Sequence, residues 1–227
     1  MNSQKIILDL CGGTGAWSRP YKEAGYDVRV ITLPQHDVSK VYFFSENIVF
    51  VGNGVSGINV PYNDIYGILA APPCTEFSVA KGNRPRNLAD SMKIVEACLQ
   101  IIWKCRLFGN LKFWALENPG RNGLLRQFLG IPPWEFEQWE FGGDQIKRTG
   151  IWGYYKIPKA TVTIRPADIT LRHNPCGSAN GRNWGKRVYP PEYADYINGL
   201  HGYTAQRAAA RAITPAGFAQ AFFRANK

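Results

Sequence analysis

The chain has 227 residues, enough to bury one substantial core with a small appendage. Its 45% hydrophobic and 13% aromatic content excludes an intrinsically disordered polymer, and no apolar run approaches the roughly 20 residues that would span a bilayer. A formal net charge of +10 points to a polyanionic partner, while five scattered cysteines without a CxxC pair exclude a disulfide framework and a zinc ribbon. The opening residues Met1 to Lys5 carry no signal-peptide pattern, so a reducing cytoplasm is the expected compartment.

Lys5 to Leu10 has the pattern of a buried strand and runs into Cys11-Gly12-Gly13-Thr14-Gly15-Ala16-Trp17. A short helix over 19–24, closed by Gly25, and a second strand over 26–31 complete a βαβ unit of the nucleotide-binding kind. Glycines in the first turn of such a unit let backbone N–H groups approach a ligand that a side chain would exclude. An acid that accepts ribose hydroxyls normally closes the second strand; Thr32 stands there, and Asp37 is the first acid after it. His36, beside it, reads as a surface residue. Two β-rich pieces, 41–44 and 48–51, read as a hairpin or edge elaboration without chemistry.

Ile68 to Ala71 is a further buried strand, stopped by Pro72 and Pro73, which hold Cys74 at the mouth of a sheet. Ligands of open α/β sheets bind past the carboxyl ends of the strands, so a cysteine there can act as a nucleophile once a positive charge favours its thiolate. A buried structural thiol is the competing reading, and the rigid Pro-Pro lead argues against it. The basic, Gly- and Pro-punctuated segment 81–87 is a loop. Leu88 to Phe108, ended by Gly109, has the apolar spacing of the clearest helix, with Cys98 and Cys105 as core or flank thiols.

Leu111 to Leu116 is another strand, delivering Glu117-Asn118-Pro119 at its carboxyl end. A carboxylate in the same crevice as Cys74 would be desolvated and carry a raised pKa, while capping the turn ahead of Gly120 is its other role. The segment 131–141 reads as a packed connector, and 145–153 as a strand. The irregular stretch 154–196 interleaves Arg182, Lys186 and Arg187 with Trp184 and Tyr189, a composition suited to phosphate contact and base stacking. Thr214 as N-cap followed by Pro215 opens a closing helix over 216–225.

In this order the motifs resemble those of the cytosine-C5 DNA methyltransferases, closest to their compact phage and bacterial members. The first motif is Leu8-Asp9-Leu10-Cys11-Gly12-Gly13-Thr14-Gly15, and Pro73-Cys74-Thr75-Glu76-Phe77-Ser78 matches the pattern Pro-Cys-x-x-Phe-Ser. Glu117-Asn118-Pro119 stands for Glu-Asn-Val, Gln145 to Thr149 for Gln-x-Arg-x-Arg, and the helix after Thr214 for the final motif that returns to the cofactor.

The resemblance implies a Rossmann-like α/β methyltransferase core over 1–155, a small target-recognition segment over 156–200 and a returning C-terminal helix within 201–227. It implies S-adenosylmethionine as cofactor, held by Leu10, Cys11, Gly12, Gly13, Thr14, Gly15, Trp17, Thr32, Asp37, Val38, Pro72 and Thr214. Cys74 would add to C6 of a flipped cytosine and Glu117 would serve N3, with Lys147 or Arg148 taking the place of the missing second arginine. Ser78, Lys81, Arg84, Arg86, Arg182, Lys186 and Arg187 would meet double-stranded DNA, and a monomer is expected. Cys11 and Thr32 depart from the family's aromatic residue and ribose acid, which implies weak cofactor binding or a modified donor. RNA or a free cytosine nucleotide is the alternative acceptor, and a DNA-binding homologue with little catalysis the alternative role.

Overall fold

The computed structural model describes residues 2–143, 146–167 and 189–227. A six-stranded sheet is the frame on which the motifs are hung. It is built from β1 (Ile6–Leu10), β2 (Asp27–Ile31), β6 (Ile65–Ala70), β7 (Phe113–Pro119), β8 (Trp134–Glu137) and β9 (Arg148–Tyr154), in the order β2-β1-β6-β7-β9-β8. The pairs from β2 through β7 are parallel, and β9 and β8 complete the sheet antiparallel. A separate antiparallel sheet holds β3 (His36–Phe43), β4 (Asn47–Gly52) and β5 (Ile58–Pro61), so the expected hairpin is a three-stranded sheet of its own.

Alternation along the strands explains why both faces are covered. Ile6, Leu8 and Leu10 of β1 enter one apolar cluster with Ile68 and Ala70 of β6, whereas Ile7 and Leu69 enter the other. On the first face lies α2 (Leu88–Phe108), which buries Val95, Cys98, Ile101, Ile102 and Cys105. Asn87 caps it by accepting from the Asp90 N–H at 3.2 Å, and Gly109 ends it.

On the second face lie α1 (Arg19–Glu23) and α6 (Ala216–Ala225), bringing Tyr21, Phe218 and Phe222 against Trp17, Phe113 and Phe136. Phe136 and Phe218 stack with centroids 4.2 Å apart. Short helices α3 (Leu125–Leu129) and α4 (Ala194–Asn198) precede α5 (Tyr203–Ala212), so the region after residue 200 is two helices.

Two local expectations need correction. The α6 helix starts at Ala216 after an extended Pro215, with no side-chain cap, so Thr214 is not its N-cap. His36 is buried, its Nε2 lying 3.2 Å from the Ser56 carbonyl, because β3 begins at that residue and turns it under the small sheet. Among the described residues, no helix is long and apolar enough to cross a membrane, and no group of three or more His, Cys, Asp or Glu residues could hold a metal ion.

Candidate active site

Leu10, Ala70 and Leu116 stand in one register row across β1, β6 and β7. One residue further along each strand come Cys11, Ala71 and Glu117, and the Ala71 N–H donates to the Leu10 carbonyl at 2.9 Å. The glycine turn and the Pro72-Pro73-Cys74 corner therefore leave the sheet beside Glu117, the first residue by which β7 outruns β6. The chain runs outward from β1 on both sides, to β2 and to β6, which makes this edge the crevice of a doubly wound sheet.

Several groups fix the corner. The Asn118 Nδ2 donates to the Pro72 carbonyl at 3.0 Å, joining the end of β7 to the proline lead. The Phe77 and Ser78 N–H groups both donate to the Cys74 carbonyl, at 3.1 and 2.8 Å. Phe77 is fully buried and its carbonyl accepts from the Leu124 N–H at 2.9 Å, so the turn after Cys74 is anchored in the core. Asn118 is a positioning residue that the strand pattern alone did not single out. Its Oδ1 is buried and has no hydrogen-bond partner among the described residues.

The crevice is dry enough to shift both ionisable groups towards their neutral forms. Burial pushes the Cys74 thiol up; the Lys147 charge pulls it down, Glu117 pushes it up, and Arg211 pulls it down again. Burial likewise pushes the Glu117 carboxyl up, with Lys147 opposing. Lys147 thus acts on both groups, and Arg211 on Cys74 alone. Lys147 can do so because β9 runs antiparallel to β7, which brings the residue preceding Arg148 to the carboxyl edge of the sheet. Arg148 itself is paired with Glu137 of β8 at 3.0 Å. Arg211, near the end of α5, was not foreseen; two arginines spaced i, i+4 on an Ala-rich helix, Arg207 and Arg211, are the available signal.

The turn from Cys11 to Gly15 has the form of a ligand cradle. Cys11, Gly13 and Gly15 all have positive φ, at 56°, 57° and 71°, and Gly15 N–H closes the turn on the Gly12 carbonyl at 2.9 Å. A Cβ on Gly12 would stand 2.3 Å from the Asp9 carboxyl carbon, so no side chain fits between turn and strand. Asp9 is fully buried, accepts from Ser18 and is pushed up to about 6 by desolvation. A turn without side chains at Gly12, Gly13 and Gly15 fits a cofactor lying against its backbone.

The other residues expected at the cofactor divide. The Thr32 Oγ1 accepts from the Gly13 N–H at 3.2 Å, which leaves its own O–H to donate. Asp37 accepts from the N–H and hydroxyl of Ser39, at 3.0 and 2.7 Å. Leu10, Val38 and Trp17 are taken up by the core; the Trp17 ring packs 5.3 Å from Phe222 and 5.9 Å from Phe218. Cys11 turns its thiol to Cys98, and a thiol–thiol hydrogen bond together with burial holds Cys98 well above its ordinary pKa. Pro72 is buried behind Cys74, and Thr214 is half-buried ahead of α6.

Of the residues expected at nucleic acid, Ser78 caps the turn after it by accepting from the Ala80 N–H at 3.2 Å. Lys81 pairs with Glu76, and Arg84 is exposed with its Nε donating to the Lys81 carbonyl at 3.0 Å. Arg86 donates to the carbonyls of Glu76, Ser78 and Gly82. Arg182, Lys186 and Arg187 lie outside the described residues.

No family model matches the sequence. Over 124 residues, 49% of this chain, it is 28% identical to the type II methyltransferase M.DdeI of Desulfomicrobium norvegicum. That relative is a methyltransferase. The similarity spans 27% of its length, so about a quarter of the larger protein has its counterpart here.

Proposed function

We propose that this protein transfers a methyl group from S-adenosylmethionine to C5 of cytosine in DNA. The observation that carries the reading is the pairing of Cys74 with Glu117 at adjacent strand ends, within electrostatic reach of each other and beside a glycine cradle. The similarity to M.DdeI supports methyl transfer, and the net charge of +10 supports a nucleic-acid acceptor.

The residues divide the work as follows. C5 of cytosine is a poor nucleophile, and addition of the Cys74 sulfur to C6 turns the ring into an enamine whose C5 can attack. Glu117, held towards its protonated form by burial, gives a proton to N3 as electrons move there, so no bare charge develops on the ring. Lys147 faces both groups and favours the thiolate when the Cys74 proton leaves. When bound, the cofactor supplies the methyl group. Water then takes the C5 proton, the C6–S bond breaks to return Cys74 as its thiolate, and the N3 proton goes back to Glu117. A base stacked in a duplex cannot reach this crevice, so it is flipped out.

The test is incubation of duplex DNA with S-adenosylmethionine, digestion to nucleosides and mass spectrometry. Wild type yields 5-methylcytosine, and Cys74→Ser yields none. Methylated adenine, methyl transfer confined to RNA, or undiminished product from Cys74→Ser each overturns the assignment.

A further inference from the structure

Two residues beyond Cys74 the chain places an acid, Glu76, in a segment otherwise rich in cations. Its carboxylate accepts from the Lys81 ammonium through both oxygens and from the Asn87 N–H at 2.7 Å. The Glu76 and Lys81 side chains keep only 14% and 16% of their surface exposed. The neighbouring Lys93–Asp90 pair, by contrast, is 68% and 62% exposed and of the kind that contributes little. Asn87 is the N-cap of the 21-residue helix α2, where the helix dipole favours an anion. Lys81, with Asn87 and Arg86 adding to it, holds the Glu76 carboxyl below its ordinary range, so the residue is ionised at neutral pH.

We propose that Glu76 is a built-in counter-ion that withholds Lys81 from the nucleic-acid backbone at the rim of the Cys74 crevice. The inference rests on the nucleic-acid reading of the function and adds to it a named residue that weakens backbone affinity. Lys81, one of three cations between residues 80 and 87, is thereby removed from phosphate contact. Arg86 is held by the carbonyls of Glu76, Ser78 and Gly82, contacts that do not depend on which side chain stands at position 76. Arg84 remains exposed.

The experiment is a salt titration of duplex-DNA binding by wild type, Glu76→Gln, Lys81→Gln and the double variant. Each phosphate neutralised by a protein cation contributes roughly 0.9 to the slope of log K against log salt. Glu76→Gln keeps an oxygen for the Asn87 N–H but releases Lys81, so its slope steepens by roughly 0.9. Lys81→Gln leaves the wild-type slope unchanged, and the double variant returns to it. A slope unchanged in Glu76→Gln overturns the proposal. So does a steepening that survives in the double variant, because Glu76 would then act as a plain negative charge.

Acylation of Lys81 by a water-soluble succinimidyl ester, mapped by peptide mass, reads the pairing without DNA. It is slow in wild type and faster in Glu76→Gln, and equal rates overturn the pairing. Loss of methyl transfer with the slope pattern intact would sink the activity and leave this inference standing.

Discussion

At the scale of single residues, the proposed chemistry depends on groups whose proton affinity burial has changed. Cys74 and Glu117 are both pushed towards their neutral forms, and Lys147 opposes both shifts. Lys147→Gln therefore moves the Cys74 thiol further up, and Glu117→Gln, which removes a negative neighbour, moves it down. Alkylation of Cys74 by iodoacetamide followed across pH, with the peptide identified by mass, reads both shifts. Relative to wild type, the alkylation midpoint rises in the first variant and falls in the second.

Asp9 makes the opposite kind of statement, about stability. Its folded pKa of about 6 lies above its ordinary 3.8, so the folded state holds this proton more tightly than the unfolded chain does. The resulting stabilisation is fully present below pH 3.8 and is lost as pH rises through about 6. Converted from the pKa shift, it is on the order of 3 kcal/mol. Asp9→Asn keeps the shape and an oxygen for the Ser18 hydroxyl but cannot ionise. A plot of Tm against pH is then flatter for the variant than for wild type between pH 4 and pH 6, and parallel curves would refute the assignment.

Among elements, those with punctuation at both ends were legible in the sequence. The predicted span of α2, Leu88 to Phe108, coincides with the observed one because Asn87 caps it and Gly109 stops it. The strand delivering Glu117 runs three residues further than its apolar run, since Glu117 to Pro119 continue the ladder with β9. Strand β8 was not legible: Trp134-Glu135-Phe136-Glu137 is four residues between Pro133 and a short helical turn, and only its pairing with β9 makes it a strand. Of the site, Cys74, Glu117 and the glycine turn could be placed from strand ends alone. Arg211 and the Glu76–Lys81 pairing could not, because they depend on which way long side chains turn. Gly67 in β6 is a further element-scale feature. It pairs with Phe113 of β7, and a Cβ at Gly67 would stand 2.1 Å from the Phe113 ring. Gly67→Ala forces that ring, a member of the Tyr21 and Phe222 cluster, out of place. Overpacking of this kind costs about 1–3 kcal/mol, to be read as a lower urea midpoint.

Across the whole molecule, three regions far apart in sequence are joined at one residue, Asn226. The Asn226 Oδ1 accepts from the Lys156 N–H at 2.8 Å, and its Nδ2 donates to the Lys156 carbonyl at 3.0 Å and to the Phe222 carbonyl at 3.0 Å. The Asn226 carbonyl accepts from the Tyr21 hydroxyl at 3.4 Å. Asn226 is buried, and its side chain completes the Lys156 backbone just past β9 as a neighbouring strand would. This brings α6 back against α1 and the residues that follow β9. Asn226→Ala leaves the Lys156 N–H and carbonyl without their partner, at about 1–3 kcal/mol for each group that water cannot reach. The urea midpoint of Asn226→Ala should fall with m unchanged, because the folded state loses bonds without changing the surface it buries. Asn226→Asp is the intermediate case: protonated, it retains an acceptor for the Lys156 N–H but has a single O–H where the amide Nδ2 serves both the Lys156 and the Phe222 carbonyl. Its midpoint should lie between those of wild type and Asn226→Ala at low pH, where the acid is neutral. A midpoint for Asn226→Ala equal to that of wild type would show that α6 is held by its aromatic face alone.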